Sequence, residues 1–226
     1  MVSFKRRIIQ TFSAVLANSN FSGFMNGTIY RGNLKKLCFP GLNCYSCPGA
    51  LGACPIGSLQ SLPAEIKFSA SLYVLGFLTL IGTLTGRLVC GFLCPFGFFQ
   101  ELLYKIPSRK INIRKGFHYM KYVFLLVFVL ILPAVLINEF GFGTQYFCKY
   151  ICPAGTLEAG IPLAIANNSI RNALGLLFGW KFLILLSIII LAIFSKRPFC
   201  RTMCPLGAIY SIFNPISVYR LKVDHS

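Results

Sequence analysis

The sequence predicts an all-α integral membrane protein, with about four transmembrane helices in two parallel helix–Cys-Pro–helix–Cys-Pro repeats. Three observations carry that expectation. The composition is 56% hydrophobic and only 12% charged, which is the profile of a chain solvated by lipid. Long apolar runs alternate with basic segments. A Cys-Pro-x-Gly motif recurs four times along the chain, and internal repetition of this kind fixes an architecture.

The apolar runs come first. They extend from about Phe68 to Gly86, from about Tyr119 to Ile137, and from Leu174 to Phe194. Each approaches the roughly 20 residues that cross about 30 Å of hydrocarbon. Lys181 interrupts the third, and beside Trp180 it is expected to snorkel to the interface. Pro133 is a candidate kink in the second. A fourth candidate, Ile8 to Tyr30, carries "ANSNFSG" in its middle and reads as a broken or re-entrant helix, retained rather than cleaved as a signal peptide. With 226 residues, the chain is expected to form a single membrane domain, 1–226, with pseudo-repeats of about 1–116 and 117–226.

Charge gives the orientation. Lys and Arg outnumber Asp and Glu by 22 to 5. In a soluble chain that excess would suggest nucleic acid, but here the basic residues flank apolar runs, so membrane lipid is the expected partner and nucleic acid is not. The N-terminal arm, segment 87–121 and tail 195–226 carry 15 Lys and Arg, whereas segments 30–67 and 138–173 carry 6. The positive-inside rule places the first group in the cytoplasm of a multi-pass protein of the cytoplasmic membrane.

The cysteines follow the same alternation. "VCGFLCPFG" holds Cys90 and Cys94, "FCKYICPAG" holds Cys148 and Cys152, and "FCRTMCPLG" holds Cys200 and Cys204. A looser copy, "CYSCPGALGACPIG", holds Cys44, Cys47 and Cys54. The sixth residue beyond each Cys-Pro cysteine is polar: Gln60, Gln100, Glu158 and Tyr210. Cysteines four apart on a helical turn are neighbours, so two pairs meeting across a two-fold axis supply four thiolates. Cys90, Cys94, Cys200 and Cys204 form one expected set on the inner side. Cys148 and Cys152, with two of Cys44, Cys47 and Cys54, form the other on the outer side, and Cys38 is surplus.

Four thiolates suit zinc or a 4Fe-4S cluster. Proline directly after a cysteine ligand occurs in bacterial ferredoxin motifs, and the glycine two residues later lets backbone pass close to a bulky inorganic core. Arg87, Lys149, Arg197 and Arg201 stand near enough in sequence to compensate a cluster's negative charge. Two 4Fe-4S clusters, using eight of the ten cysteines, are the expected cofactors; structural zinc and disulfide or thiol-relay chemistry are the alternatives. His118 and His225 are the two histidines, which leaves no pair for a bis-histidine haem inside the membrane. Glu158 is a candidate proton carrier beside the outer set, and Glu65, Glu101, Glu139 and Asp224 complete the acidic residues.

The stretches "GRLVCGFLCPFGFFQELLYKIP", "FCKYICPAGTLEAGIPL" and "RPFCRTMCPLGAIY" resemble the membrane-bound 4Fe-4S proteins of the NapH/MauN type, to which the membrane domain of the regulator NosR is related. The resemblance covers most of the chain. It implies membrane electron transfer between a quinol pool or ferredoxin and a partner enzyme, with Cys90, Cys94, Cys148, Cys152, Cys200 and Cys204 as cluster ligands. Many relatives continue into a soluble ferredoxin domain, whereas this sequence stops at "YRLKVDHS", and the copy at 38–54 is not universal among them. The expected function is an electron-transfer component without catalytic residues of its own. Its partners would be quinone, a ferredoxin- or flavodoxin-like donor, or a partner reductase. The alternatives are a redox regulatory or maturation factor and a thiol–disulfide relay to extracytoplasmic thioredoxin-like proteins. The basic segment Lys105 to Gly116 is the expected landing surface for an acidic donor.

Overall fold

The computed structural model describes residues 2–61, 69–136, 144–172 and 174–219. Phe68, Ile137, Glu65, Glu139, Asp224 and His225 lie outside the described residues. Among the described residues the regular structure is helical, and extended backbone pairs only in an isolated parallel bridge between Cys38 and Ala53.

Two helices are long and apolar enough to cross a membrane, Gly116–Val135 with 20 residues and Leu176–Phe194 with 19. Only 17% of the most apolar stretch of each is buried, and Val123, Leu126, Leu183, Leu186 and Leu191 face outward. A core helix of a soluble protein hides such a surface; these helices display it. The helix Ser69–Thr85 is apolar but shorter. The N-terminal candidate is not continuous: Val2–Ala17 stops at Asn18, and a separate turn of helix occupies Phe21–Asn26. The asparagines that break it bind backbone instead. Asn18 donates to Ala14 O at 3.1 Å, and Asn20 donates to Pro48 O at 2.8 Å. Pro133 does not end its helix. A π-wound stretch, Leu125–Ile131, precedes it, and the helix runs on to Val135, so the proline is met by a change of winding.

Helices from the two ends of the chain interleave. Leu176–Phe194 packs on Pro95–Tyr104, and Pro205–Phe213 packs on Ser69–Thr85 and Met120–Phe124. Val2–Ala17 closes over Leu88–Phe92 and Pro95–Tyr104. The core between them contains Phe96, Phe147, Phe199 and Tyr210 together with Cys54, Cys94, Cys152 and Cys204. Phe96 and Phe199 meet edge to face at 5.3 Å. The cysteines are thus built into the middle of the molecule, where the packing fixes them.

Candidate functional site

The Cys-Pro-x-Gly motif is a helix start. Cys94 and Cys204 occupy the N-cap positions of Pro95–Tyr104 and Pro205–Phe213, and their sulfurs accept from Gly97 N and Gly207 N at 3.4 Å. Cys54 and Cys152 stand in the same place before Pro55–Ser61 and Pro153–Gly155, with Gly57 and Gly155 N–H groups turned to them. A helix N-terminus leaves N–H groups without partners, and proline at the first position has none to leave. The sulfur takes the role a serine or aspartate oxygen has elsewhere. The glycine answers a close approach: a Cβ at Gly97 would lie 3.3 Å from Cys90 O, and one at Gly207 3.2 Å from Cys200 O.

These turns gather eight cysteines into two sets. In set I, Cys90, Cys94, Cys200 and Cys204 each lie within electrostatic reach of the other three. In set II the same holds of Cys44, Cys54, Cys148 and Cys152. Burial pushes the thiols of Cys44, Cys54, Cys152 and Cys200 up to about 12, and neighbouring sulfurs add to the rise. Burial likewise raises Cys90, Cys148 and Cys204. Four such thiols cannot all ionise unless a positive centre replaces their protons, which is the chemistry of a metal or metal–sulfur ligand set. The four sulfur-bearing residues of set II border a cavity of about 460 Å³, joined by Gln145 and Lys181. No three His, Cys, Asp or Glu side chains among the described residues converge closely enough to grip one ion. Thiols spaced around a cavity suit a polynuclear core better than a single tetrahedral ion.

Two fully buried glutamines brace the sets in the same way. Gln100 donates to Cys200 Sγ at 3.2 Å and accepts from Phe199 N at 3.2 Å. Gln60 donates to Cys148 Sγ at 3.2 Å and accepts from Phe147 N at 2.9 Å. Each therefore reaches from the helix behind one Cys-Pro to the first cysteine of a distant pair. The other two members of this polar series tie down one loop. Glu158 accepts from Cys44 N at 2.7 Å, and Tyr210 donates to Pro40 O at 2.9 Å. Burial pushes the Glu158 carboxyl up to about 8.

That loop joins the sets. Gly41 passes so near Cys94 that a Cβ there would lie 3.0 Å from the Cys94 Cα. The Leu42 N–H lies on the Cys94 side of the loop, close enough to lower the Cys94 thiol against the rise from burial. Cys44, two residues on, belongs to set II. Tyr210, fully buried, senses Cys90, Cys94 and Cys204 on one side and Cys54 on the other.

The structure places the other candidate residues one by one, and Cys44 and Cys54 rather than Cys47 lie with Cys148 and Cys152. Cys47 stands apart from set II: its thiol is directed to Asn18 Oδ1 at 3.6 Å, and it lies near Lys35. Cys38 is buried beside Ser58, outside both sets. Lys181 does not snorkel outward; its ammonium donates to Cys148 O at 3.1 Å and lines the cavity. An ionisable residue inside an apolar run is a functional signal in itself, and that signal was open in the sequence. Of the four proposed cations, Arg197 lies against set I, donating to Cys90 O and Gly91 O. Arg87 bonds Ser211, which Lys121 also reaches at 3.1 Å. Lys149 is turned over the Tyr150 ring instead. Lys110 is occupied as a cap, donating to Tyr104 O, Ile106 O and Ile193 O.

Comparison with known proteins agrees with this chemistry. A family model described as a 4Fe-4S binding domain matches residues 68–114, 122–161 and 177–223. Those three segments contain the three CxxxCP pairs, and the chain belongs to this 4Fe-4S binding family. Uncharacterized protein MJ0750 of Methanocaldococcus jannaschii is 33% identical over 167 residues, covering 70% of this chain and 59% of its own length. Uncharacterized protein MJ0749 of the same organism is 28% identical over 153 residues, covering 63% of this chain and 47% of its own length. The chain therefore spans about half the length of the curated relatives it matches. No solved structure matches.

Proposed function

We propose that the chain is a membrane electron-transfer protein of the NapH/MauN type that holds two 4Fe-4S clusters. Cys90, Cys94, Cys200 and Cys204 would hold one, and Cys44, Cys54, Cys148 and Cys152 the other. Such clusters supply one-electron transfer. The observation that carries the reading is the twofold recurrence of one design: four thiols within electrostatic reach of one another, a glycine N–H toward a helix-capping sulfur, and a buried glutamine on another sulfur. Two sites of like construction, joined by six residues of loop from Phe39 to Cys44, suit the passage of single electrons from one to the other.

The apolar faces of Gly116–Val135 and Leu176–Phe194 favour a membrane location, with the basic termini and Lys105–Gly116 on the cytoplasmic side. A span of about 30 Å is too wide for one efficient electron step. The loop that carries Cys44 of set II packs Gly41 against Cys94 of set I, a separation that favours direct exchange without a quinone or flavin between the sets. Quinone or an acidic carrier of ferredoxin or flavodoxin type would exchange electrons at the ends of the pair.

Anaerobic purification, iron and acid-labile sulfide analysis, and EPR of the reduced protein test the reading. About eight irons and eight sulfides per chain are expected. Stoichiometric zinc without iron refutes it.

A further inference from the structure

The internal repeat supplies its own control. Three residues before the first cysteine of a pair stands Arg197 in set I, in "RPFC", and Gln145 in set II, in "QYFC". The structure puts both at matching places. The position of a Cβ on Gly97 would lie 3.6 Å from the Arg197 guanidinium, and that of a Cβ on Gly57, the equivalent glycine, 3.9 Å from Gln145 Oε1. One site thus carries a full positive charge where the other carries a neutral amide.

Arg197 is held there with some effort. It is the one non-glycine residue with positive φ among those described, at 51°, and such backbone strain persists only where surrounding contacts impose it. Glu101 pairs with its Nε at 3.0 Å and with Arg6 at 2.7 Å, while the other guanidinium nitrogens reach Cys90 O and Gly91 O. Two other features recur in both sets, and the Glu101 carboxylate, which also acts on Cys200, is shared between Arg197 and Arg6. The glutamine N–H to sulfur distance is 3.2 Å in each. Each set also receives one lysine from a long apolar helix, Lys121 or Lys181. Lys35, the unmatched cation, is bound to Ala50 O at 2.8 Å and lies near Cys47 first and Cys44 of set II second.

A reduced cluster carries one more negative charge than an oxidised one, so a fixed cation nearby favours reduction. Resting on the two-cluster reading above, we infer that Arg197 makes set I the higher-potential site, so that the first electron given to the protein settles on set I. The electron comes from a one-electron reductant at either end; set I gains it, and any electron first placed on set II leaves that cluster oxidised as it passes to set I.

The test is an EPR-monitored dithionite titration of the iron-loaded, full-length protein, with Cys204→Ser identifying the set I signal. In the unsubstituted protein set I should reduce first. Arg197→Gln should lower the set I potential by about 59 mV or more, a tenfold change in a one-electron equilibrium, and leave set II in place. Arg197→Lys, which keeps the charge and loses the forked hydrogen bonds, should retain most of the difference. Gln145→Arg should raise set II toward set I. Set II reducing first would mean that solvent access through the mouth of its cavity outweighs the arginine, and overturns the inference. So does an Arg197→Gln protein with both clusters and unmoved potentials, or an Arg197→Lys protein that behaves like Arg197→Gln. Loss of the two-cluster content in the unsubstituted protein refutes instead the reading on which the inference rests.

Discussion

Set I and set II do the same thing with different amounts of sequence order. Set I is assembled from two CxxxCP pairs, each on a short helical turn, and both halves of the chain contribute one. Set II has one such pair, at 148 and 152, and completes itself with Cys44 and Cys54 from a loop. The loop earns its geometry from outside: Glu158 holds the Cys44 N–H, Tyr210 holds Pro40 O, and the bridge of Cys38 to Ala53 brings its ends together. A four-thiol site therefore requires four fixed helix or loop positions rather than two copies of a motif. Where a repeat has diverged, polar side chains from its partner supply the order.

Cysteine removal should break the comparison most severely. Cys94→Ser or Cys204→Ser is expected to abolish the set I cluster, about four irons per chain, and Cys152→Ser the set II cluster. Iron analysis after anaerobic purification reads both. Cys38→Ser should leave the full content, because its thiol lies outside either set.

The glutamines come next. Gln100→Leu and Gln60→Leu each remove an N–H···S bond and strand a buried backbone N–H, that of Phe199 or Phe147. Each should cost roughly 1–3 kcal/mol of stability and lower the potential of its own cluster. Equal effects in thermal melts and redox titrations would uphold the equivalence of the sites; a loss at only one would end it.

Glycine substitutions should separate the sites more gently. Gly97→Ala places a methyl 3.3 Å from Cys90 O, and overpacking of this kind typically costs about 1–3 kcal/mol. Gly57→Ala meets its nearest neighbour at 3.9 Å and should be neutral in the same melts.

The smallest effect concerns the basic segment beside set I. Lys110 is occupied with four hydrogen bonds, so its reversal would report on stability. Arg109 and Arg114 are exposed and serve better. Charge reversal at both should slow reduction by an acidic carrier severalfold at low salt and leave cluster content unchanged. Unaltered stopped-flow kinetics would assign the segment to lipid headgroups alone.

Set I was legible in the sequence because its information is local. A CxxxCP string dictates a turn, an N-cap and a helix, and two strings imply a partner. The polar residue six places on was visible as a regularity in Gln60, Gln100, Glu158 and Tyr210, but not its purpose, since each acts on a residue at least 87 positions away. The choice of Cys44 and Cys54 over Cys47 was not legible. Cys47 lies between them in sequence, and only the packing of the loop against Asn18 turns its thiol aside. The two long apolar helices, Gly116–Val135 and Leu176–Phe194, were legible because their hydropathy is uniform. The break in residues 8–30 was legible too, because the asparagines of "ANSNFSG" prefer backbone partners to helix positions.

Cys44 and Cys47 offer the most direct test of the central claim, because sequence alone treats them as equals and the structure does not. Iron and acid-labile sulfide should be measured in anaerobically purified Cys44→Ser and Cys47→Ser proteins beside the unsubstituted chain. The account predicts about eight irons for the unsubstituted chain and for Cys47→Ser, with the set II signal lost or converted in Cys44→Ser. Loss of the set II cluster in Cys47→Ser, with Cys44→Ser intact, would contradict it.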